Sequence, residues 1–473
     1  MSLTTKVGFL AGATATTIAG AAFAGTSANV SYEDLQQRLD AAEAKIAELS
    51  TTQNADWLTE QRADDIRGLV QDVLADADTR ASLQGSGMQA GYNNGFVISS
   101  NDGQWMLRMN GLLQNRWVLN HTKNDINTVP GAAGNGEKSR HGFETTRAAL
   151  NFSGTVAKDY HFNIRLNWSP YAGSNTANPS QVEWAYAGID LSDSVSLTMG
   201  KQKYSVMREY MVNAEFQQAI ERSLYSYYWA TSSQTNGIKL NYANDSLRAN
   251  VMYSNGPTAA QWNGNGAVPA DSYDQDSADW MLSGRIAYKA SDTWEQFDEM
   301  TSPQGSEAGM LFGFGWAVWD NNDSITQPPG AASTDTQWLL TLDASMDFGG
   351  WNLFGSITYG DDSQNAFGAI ANDGGHQWGW MLQGGYYLSE DLELYGRFEW
   401  LDPRTGNDND NIEILTIGAN WYLAGQNAKF SIDWGYAFDT IVTAGVGGSG
   451  YTNMINTPDK HEWVLRAQLQ LYF

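Results

Sequence analysis

The sequence contains no cysteine, few basic residues and no long apolar run beyond its first residues. Without cysteine there can be no disulfide scaffold, zinc–thiolate site, iron–sulfur cluster or thiol nucleophile. The 53 Asp and Glu residues outnumber the 27 Lys and Arg residues, and a net charge of -26 repels phosphate backbones, so we expect no nucleic-acid partner. After residue 24, no stretch is apolar for the roughly 18 residues that a membrane-spanning helix requires.

Aromatic residues and glycine are abundant instead. Aromatic residues make up 12% of the chain, and 48 residues are glycine. Charged residues fall to 17%, below the roughly 25% of soluble domains. The 473 residues would normally suggest two or three domains, but barrels often exceed the usual domain size. A chain rich in glycine and aromatics, without cysteine or spanning helices, has the composition of a transmembrane β-barrel.

The first 24 residues have the pattern of a secretory signal peptide. Lys6 precedes an apolar run over residues 7–18, and Ala22-Phe23-Ala24 forms a small-x-small cleavage box. A short N-terminal core helix is the alternative, but this segment lacks the polar face that such a helix needs. We therefore predict a signal peptide over residues 1–24.

Residues 25–84 are predicted to form a helical, coiled-coil extension in the periplasm. A second amphipathic stretch covers residues 57–74, and the alternative is a lone helix folded onto the barrel. Residues 85–94, rich in Gly, Ser and Asn, are predicted to be a linker to a barrel domain over residues 95–473. The heptad seam of the extension consists of Tyr32, Leu35, Leu39, Ala42, Ile46 and Leu49.

From residue 105 onward, apolar and polar residues alternate in segments of roughly ten residues, which is typical of a barrel. The predicted fold is an all-β membrane barrel, a 16-stranded antiparallel transmembrane β-barrel with an N-terminal α-helical coiled-coil extension. Short links alternate with long polar ones, whereas a soluble sandwich has no reason to place all its long loops at one end. One exception is the long link over residues 291–308. The predicted strands cover residues 105–118, 144–156, 160–168, 182–190, 194–200, 235–242, 246–254, 280–290, 309–318, 338–348, 351–360, 378–388, 392–401, 412–422, 428–436 and 462–473.

Motifs for enzymatic chemistry are missing from the sequence. There is no His-Glu-x-x-His pattern and no phosphate-binding loop. A glycine-rich stretch over residues 445–450 has dinucleotide-binding spacing but lies in a predicted loop without the required strand and helix. Asp408 and Asp410 offer oxygen ligands for calcium or magnesium, with a solvated loop as the alternative. We predict no enzyme activity and no cofactor other than such a loop-bound cation.

Several segments resemble the phosphate-selective porin O and P family. The resemblance covers most of residues 95–473, and Glu221-Arg222-Ser223 is its most specific part. Other segments that carry it are Gly95-Phe96 to Gly111, Gly200-Lys201, Arg208-Glu209, Asn236-Gly237-Ile238, Gly418 to Leu423 and Arg466 to Leu469.

The resemblance implies a sixteen-stranded trimeric porin whose third long loop folds inward and narrows the pore. The family's anion-selective members carry a dense array of Lys and Arg at the constriction, but the loop over residues 201–234 is nearly neutral here, so specific phosphate capture does not carry over. The predicted constriction residues are Lys201, Lys203, Arg208, Glu209, Glu221 and Arg222.

The alternation also predicts a ladder of basic residues that faces the lumen. Rings of charge set ion preference in a pore through the local potential, so the ladder would favour anions, phosphate-like ones included. The alternative is that these residues pair with acids across the wall and hold the barrel's shape, and a transverse field would combine both roles. The predicted ladder is Arg108, Arg116, Arg147, Arg165, Lys239, Arg248, Arg285, Arg397 and Arg466.

The functional hypothesis is therefore a bacterial outer-membrane porin for passive diffusion of small hydrophilic solutes and ions. Its expected partners are outer-membrane lipid, two further copies of the chain in a homotrimer, and the cell wall through the N-terminal helices. The alternative is a structural protein that anchors the envelope through those helices.

Overall fold

The computed structural model describes most of the chain from residue 88 onward. The predicted signal peptide (1–24), the coiled-coil extension (25–84), Asp408 and Asp410 all lie outside the described residues. The described residues are 88–123, 138–168, 181–229, 234–256, 260–263, 266–269, 278–291, 293–321, 336–362, 375–403, 411–441, 453–454 and 460–473.

Strands dominate the described residues because apolar, β-branched and aromatic side chains alternate with polar ones along most of the chain. The strands are β1 Met88–Tyr92, β2 Phe96–Ser100, β3 Met106–His121, β4 Ser139–Val156, β5 Tyr160–Asn167, β6 Gln181–Ser192, β7 Val195–Lys203, β8 Gln234–Ala243, β9 Leu247–Ser254, β10 Ala260–Asn263, β11 Gly266–Pro269, β12 Ala278–Ala290, β13 Ala308–Asn321, β14 Thr336–Phe348, β15 Trp351–Asp362, β16 Gly375–Tyr387, β17 Leu392–Asp402, β18 Ile412–Tyr422, β19 Ala428–Ala437 and β20 Trp463–Tyr472.

Sixteen of these strands close into an antiparallel barrel, as predicted. Strands β3 to β9 and β12 to β20 each pair with the next, and β9 pairs directly with β12. The last strand returns to the first, with Trp463 opposite His121 and Tyr472 opposite Leu112. Strands β10 and β11 form a separate two-stranded hairpin in the link between β9 and β12. Closure leaves the barrel without a free sheet edge, which spanning strands need in lipid.

The two ends of the barrel carry connections of different length. At one end the strands are joined by short turns, such as residues 157–159 and Gly349-Gly350, whose positive φ angles of 63° and 126° suit glycine. At the other end the connections are long, as predicted. The exception at the short-turn end is the connection between β12 and β13, residues 291–307, which also matches the sequence expectation.

Side chains on the barrel wall show the inverted polarity of a membrane barrel. On β14, Leu340 and Leu342 point outward and are 41% and 57% exposed. The intervening Thr341 and Asp343 point inward and are 1% and 6% exposed. In a water-soluble sandwich, the buried face would be the apolar one. The apolar outer face is instead what a lipid environment selects.

The region predicted as a linker, residues 85–94, is partly a strand. Met88–Tyr92 forms β1, which pairs with β2 across a tight turn at Asn94 and Gly95, both with positive φ. Asn and Gly are common in flexible linkers and also in tight turns, so composition alone did not separate the two. Strand β2 continues the sheet on the edge of β3, beyond the point where Phe473 bonds to Gly111.

Short helices occur only in the connections of the described residues. Two α-helices, α1 Arg208–Met211 and α2 Leu224–Trp229, lie between β7 and β8, together with a 3-10 turn at Ala214–Phe216. Another 3-10 turn, Glu295–Asp298, lies between β12 and β13. Among the described residues, no helix has both the length and the apolar character needed to cross a membrane.

Candidate functional site

The connection between β7 and β8 folds into the barrel. We call residues 204–229 of this connection the inward segment. Tyr225, Tyr228 and Trp229 are each 1% exposed and belong to an apolar cluster with wall residues such as Met252 and Leu339. Burial of several large aromatic side chains supplies most of the free energy that holds such a segment in place.

One side of the inward segment is bound to the wall through Glu221. Its carboxylate accepts hydrogen bonds from Arg147 at 2.7 and 2.9 Å and also from Arg116, on the neighbouring strand. Burial by itself would raise the pKa of Glu221, but the charges of Arg147 and Arg116 outweigh it and lower the pKa to about 2. Glu221 is therefore ionised at neutral pH, and its single negative charge is shared between two ladder residues.

Glu215 makes a similar bond one strand further round the barrel. Arg165 on β5 donates to both of its oxygens, at 3.0 and 3.3 Å. Burial raises the pKa of Glu215, and the Arg165 charge more than compensates and lowers it. Arg165 also lies 3.1 Å from Glu183 and stacks over the ring of Trp184.

The opposite side of the inward segment meets β17. Glu209 accepts hydrogen bonds from the Ser223 backbone at 2.9 Å and from the Ser223 hydroxyl, and lies 3.5 Å from Arg397. Arg397 also donates to the backbone carbonyl of Glu221 at 2.7 Å. Glu399 accepts from the backbone N–H of Tyr225 at 2.9 Å. The inward segment thus crosses the lumen from β3 and β4 to β17.

The remaining predicted constriction cations bind carbonyl oxygens. Arg222 donates to the carbonyls of Glu209 and Val212 at 3.1 and 2.6 Å, and Lys203 donates to those of Tyr210 and Met211 at 3.1 Å. Both side chains therefore brace the first turn of the inward segment.

Arg208 and Lys201 differ from this pattern. Arg208 donates to Ser345 on β14 at 2.7 Å and to the carbonyls of Phe297 and Glu299 at 2.8 and 3.1 Å. Lys201 is half-buried on β7, where its backbone pairs with Ala185. The structure thus brings five of the six predicted constriction residues together inside the barrel.

The basic ladder is paired rather than open to the lumen. Arg285 forms two bonds of 2.7 and 2.8 Å to Asp343, and Arg466 forms two of the same lengths to Asp433. Lys239 donates to the carbonyl of Lys203 and, at 3.3 Å, to Ser205. Two-pronged Arg–carboxylate pairs are among the strongest in proteins. This geometry matches the alternative in which the ladder residues hold the barrel's shape.

Two ladder residues lie apart from the buried set. Arg108 is half-buried near the start of β3. The Arg248 side chain is 47% exposed, stacks 4.3 Å from the ring centre of Trp294 and lies 3.8 Å from Asp298. Both residues are closer to the short-turn end than the buried pairs.

Sequence reasoning missed the neutral partners of Glu393, a fully buried carboxylate on β17. Gln218, Thr301 and Tyr422 donate to it at 2.6, 2.7 and 2.7 Å, and Asn420 donates at 2.9 Å. Alternation places Asn420 and Tyr422 on the inward face, but no sequence signal brings Gln218 or Thr301 to the same carboxylate. Within the residues described, no group of His, Asp and Glu could hold a metal ion.

Comparisons with known proteins agree with this geometry. Residues 119–289 match the family model of the phosphate-selective porin O and P family. OmpF of Salmonella typhi, solved in complex with daunomycin, is 13% identical with a TM-score of 0.53, and the match covers 81% of this chain and 100% of OmpF. The outer membrane channel DcaP of Acinetobacter baumannii is 12% identical with a TM-score of 0.50, and the match covers 81% of this chain and 100% of DcaP. No curated protein sequence matches significantly.

At such low identities the two solved structures show the fold alone. The family match confirms the resemblance inferred from the residues of the inward segment and its flanking strands. The chain therefore has the fold of outer-membrane porins and, over residues 119–289, matches the phosphate-selective porin O and P family.

Proposed function

We propose that this chain is a bacterial outer-membrane porin through which small hydrophilic solutes and ions diffuse passively. The observation that carries the proposal is the inward segment inside a closed sixteen-stranded barrel, tied to β3 and β4 through Glu221 and to β17 through Glu209. The apolar outer face supports insertion into lipid.

In this proposal the inward segment is the constriction that limits solute size. The buried aromatic cluster fixes its position on one side, and the charge pairs fix it on the others. Because most of the ladder cations are bonded to carboxylates or carbonyls, we propose that they position the constriction more than they attract anions. The phosphate-like anion preference predicted from the ladder stays a prediction.

We further propose that the barrel assembles as a homotrimer, with the N-terminal extension in the periplasm. The heptad pattern over residues 31–49 supports this, since a coiled coil of about three heptads needs chains that are already held together. Binding of this extension to the cell wall belongs to the same proposal.

Planar-bilayer recording of the purified protein tests the proposal. We expect stepwise increases in current on insertion, in groups of three for a trimer, and ohmic behaviour at low voltage. A folded, membrane-inserted protein that carries no current would refute the porin and favour the structural alternative. The reversal potential in a salt gradient would then measure the anion preference directly.

A further inference from the structure

The link between β12 and β13 is far longer than a turn requires. Residues 291–307 occupy a position where the neighbouring connection, between β14 and β15, needs only Gly349-Gly350. Antiparallel strands can be joined by two residues, so the additional length serves something other than chain reversal.

One part of the link packs against the wall at the short-turn end of β9, β12 and β13. Phe297 is 4% exposed and packs with Ala287 and Leu311, with Trp294 beside them. The indole of Trp294 donates to the carbonyl of Asn244 at 2.9 Å. These contacts fix where the link leaves the wall.

The next residues of the link bind the inward segment. Arg208 donates to the carbonyls of Phe297 and Glu299, and the backbone N–H of Met300 donates to the carbonyl of Phe216 at 3.0 Å. The link therefore lies against the side of the inward segment that faces the short-turn end.

The link then continues along the adjoining wall, past β14 and β15. Asn352 on β15 donates to the carbonyl of Met300 at 2.8 Å, and Gly350 donates to that of Ser302 at 3.0 Å. Thr301 donates to Glu393, the same carboxylate that accepts from the inward segment. The link thus extends across the short-turn end of the lumen from β12 to β17, which lies five strands further along the barrel.

The link is acidic, unlike the inward segment. Residues 291–307 contain five acidic residues, namely Asp292, Glu295, Asp298, Glu299 and Glu307, and no Lys or Arg. Residues 204–229 contain three acidic and two basic residues. Glu295 and Asp298 are exposed, and Glu299 is half-buried and accepts a hydrogen bond from Gln426 at 2.8 Å.

Resting on the proposed porin function, we propose that residues 293–307 form a second constriction in series with the inward segment, with Asp298 and Glu299 as its selectivity-determining residues. Carboxylates at a narrow, low-dielectric part of a pore lower the local potential and favour cations. The link would then oppose any anion preference set elsewhere in the lumen.

Shortening the link tests the constriction. Residues 293–306 are replaced with Gly-Gly, which leaves a five-residue connection, and folding is checked by the heat-dependent shift of the band in gel electrophoresis. We expect single-channel conductance to rise about twofold or more, because one of two resistances in series is removed. A folded variant with unchanged conductance would overturn the proposal.

Charge substitutions test selectivity and do not depend on folding of the shortened chain. The double variant Asp298→Asn and Glu299→Gln should shift the reversal potential in a potassium chloride gradient toward the chloride equilibrium value. Glu390→Gln, an exposed turn residue at the same end, is the matched control and should leave it unchanged. An equal reversal potential in the wild type, the double variant and the control would refute the selectivity role of Asp298 and Glu299.

The absence of native cysteine permits a third test by chemical modification. In Glu299→Cys, a positively charged methanethiosulfonate reagent should reduce the potassium current, while Glu390→Cys should not respond. Equal responses would contradict the proposal. A wild-type protein that carries no current would refute both the porin function and the second constriction. If the wild type conducts and the variants have the same conductance and selectivity as the wild type, the second constriction alone is refuted.

Discussion

The outward and inward faces of the barrel wall are built from the same strands but differ in which side chains they require. The outward face is apolar and exposed, and the inward face is polar and buried. On β14, the outward Leu342 is 57% exposed while the inward Asp343 is 6% exposed and bonded to Arg285. The outward face only has to be apolar, so many sequences would satisfy it. The inward face has to satisfy each buried charge with a particular partner, because an unpaired buried charge is costly.

The fold is therefore specified mainly by the residues of the inward face. The outward face depends on side-chain class and is insensitive to which apolar residue occupies a position. The inward face depends on pairs such as Glu221 with Arg116 and Arg147, where removal of one partner leaves the others buried without their counter-charge. Substitutions on one face that leave the other intact measure how unequal the two faces are.

The largest effect is expected on the inward face, from Glu221→Gln. The substitution leaves two buried guanidiniums without their shared counter-charge, so we expect a loss of about 3–5 kcal/mol in the free energy of unfolding. Urea unfolding in lipid vesicles, followed by tryptophan fluorescence, measures it. Glu144→Gln is the control, since Glu144 is more exposed and lies 3.8 Å from Arg116. A control loss as large as that of Glu221→Gln would show that burial does not govern the inward pairs.

The next effect is expected on the outward face, from Leu342→Arg. A charge near the middle of a lipid-facing strand costs about 2–4 kcal/mol, and the cost falls toward zero near the interface. Leu388→Arg, in an exposed turn at the end of β16, is the matched control. The same unfolding measurement applies, and equal losses for the two variants would argue against a lipid-facing wall.

A smaller effect is expected from acid. The pKa of Glu221 is about 2 in the folded protein against an ordinary value of 4.5. Because the folded pKa is lowered, the stabilisation is complete above pH 4.5 and is lost as the pH falls through about 2. The difference in unfolding free energy between wild type and Glu221→Gln should therefore shrink between pH 5 and pH 2. A constant difference over this range would contradict the ionised pair.

The smallest effect is expected from Arg248→Ala, at the half-exposed end of the inward face. Its contacts are a stacked, half-buried Trp294 ring and an exposed Asp298 carboxylate 3.8 Å away, so we expect a loss of about 0.5–1 kcal/mol. Arg285→Ala, whose partner Asp343 is buried, should cost several times more in the same assay. Similar losses of unfolding free energy for Arg248→Ala and Arg285→Ala would show that burial does not determine the strength of the charge pairs on this face.

Most of the wall could be predicted from the sequence, because the alternation of apolar and polar residues along a strand depends only on neighbouring positions. All sixteen barrel strands and the unusual length of the link between β12 and β13 were predicted, with ends shifted by a few residues. The hairpin of β1 and β2 was missed since its Asn and Gly residues suit a linker equally well. For the site, the sequence identified which residues are charged and which face inward.

The strand count, the polarity of each face and the candidate residues can be inferred from the amino-acid sequence, because each follows from neighbours a few positions apart. The partners of the buried residues are visible only in the folded chain. Glu221 meets Arg116 and Arg147, which precede it by 105 and 74 residues, and Glu393 joins Gln218 to Thr301. Such contacts depend on how two connections pack inside a closed wall, and alternation along a strand carries no information about distance across the lumen.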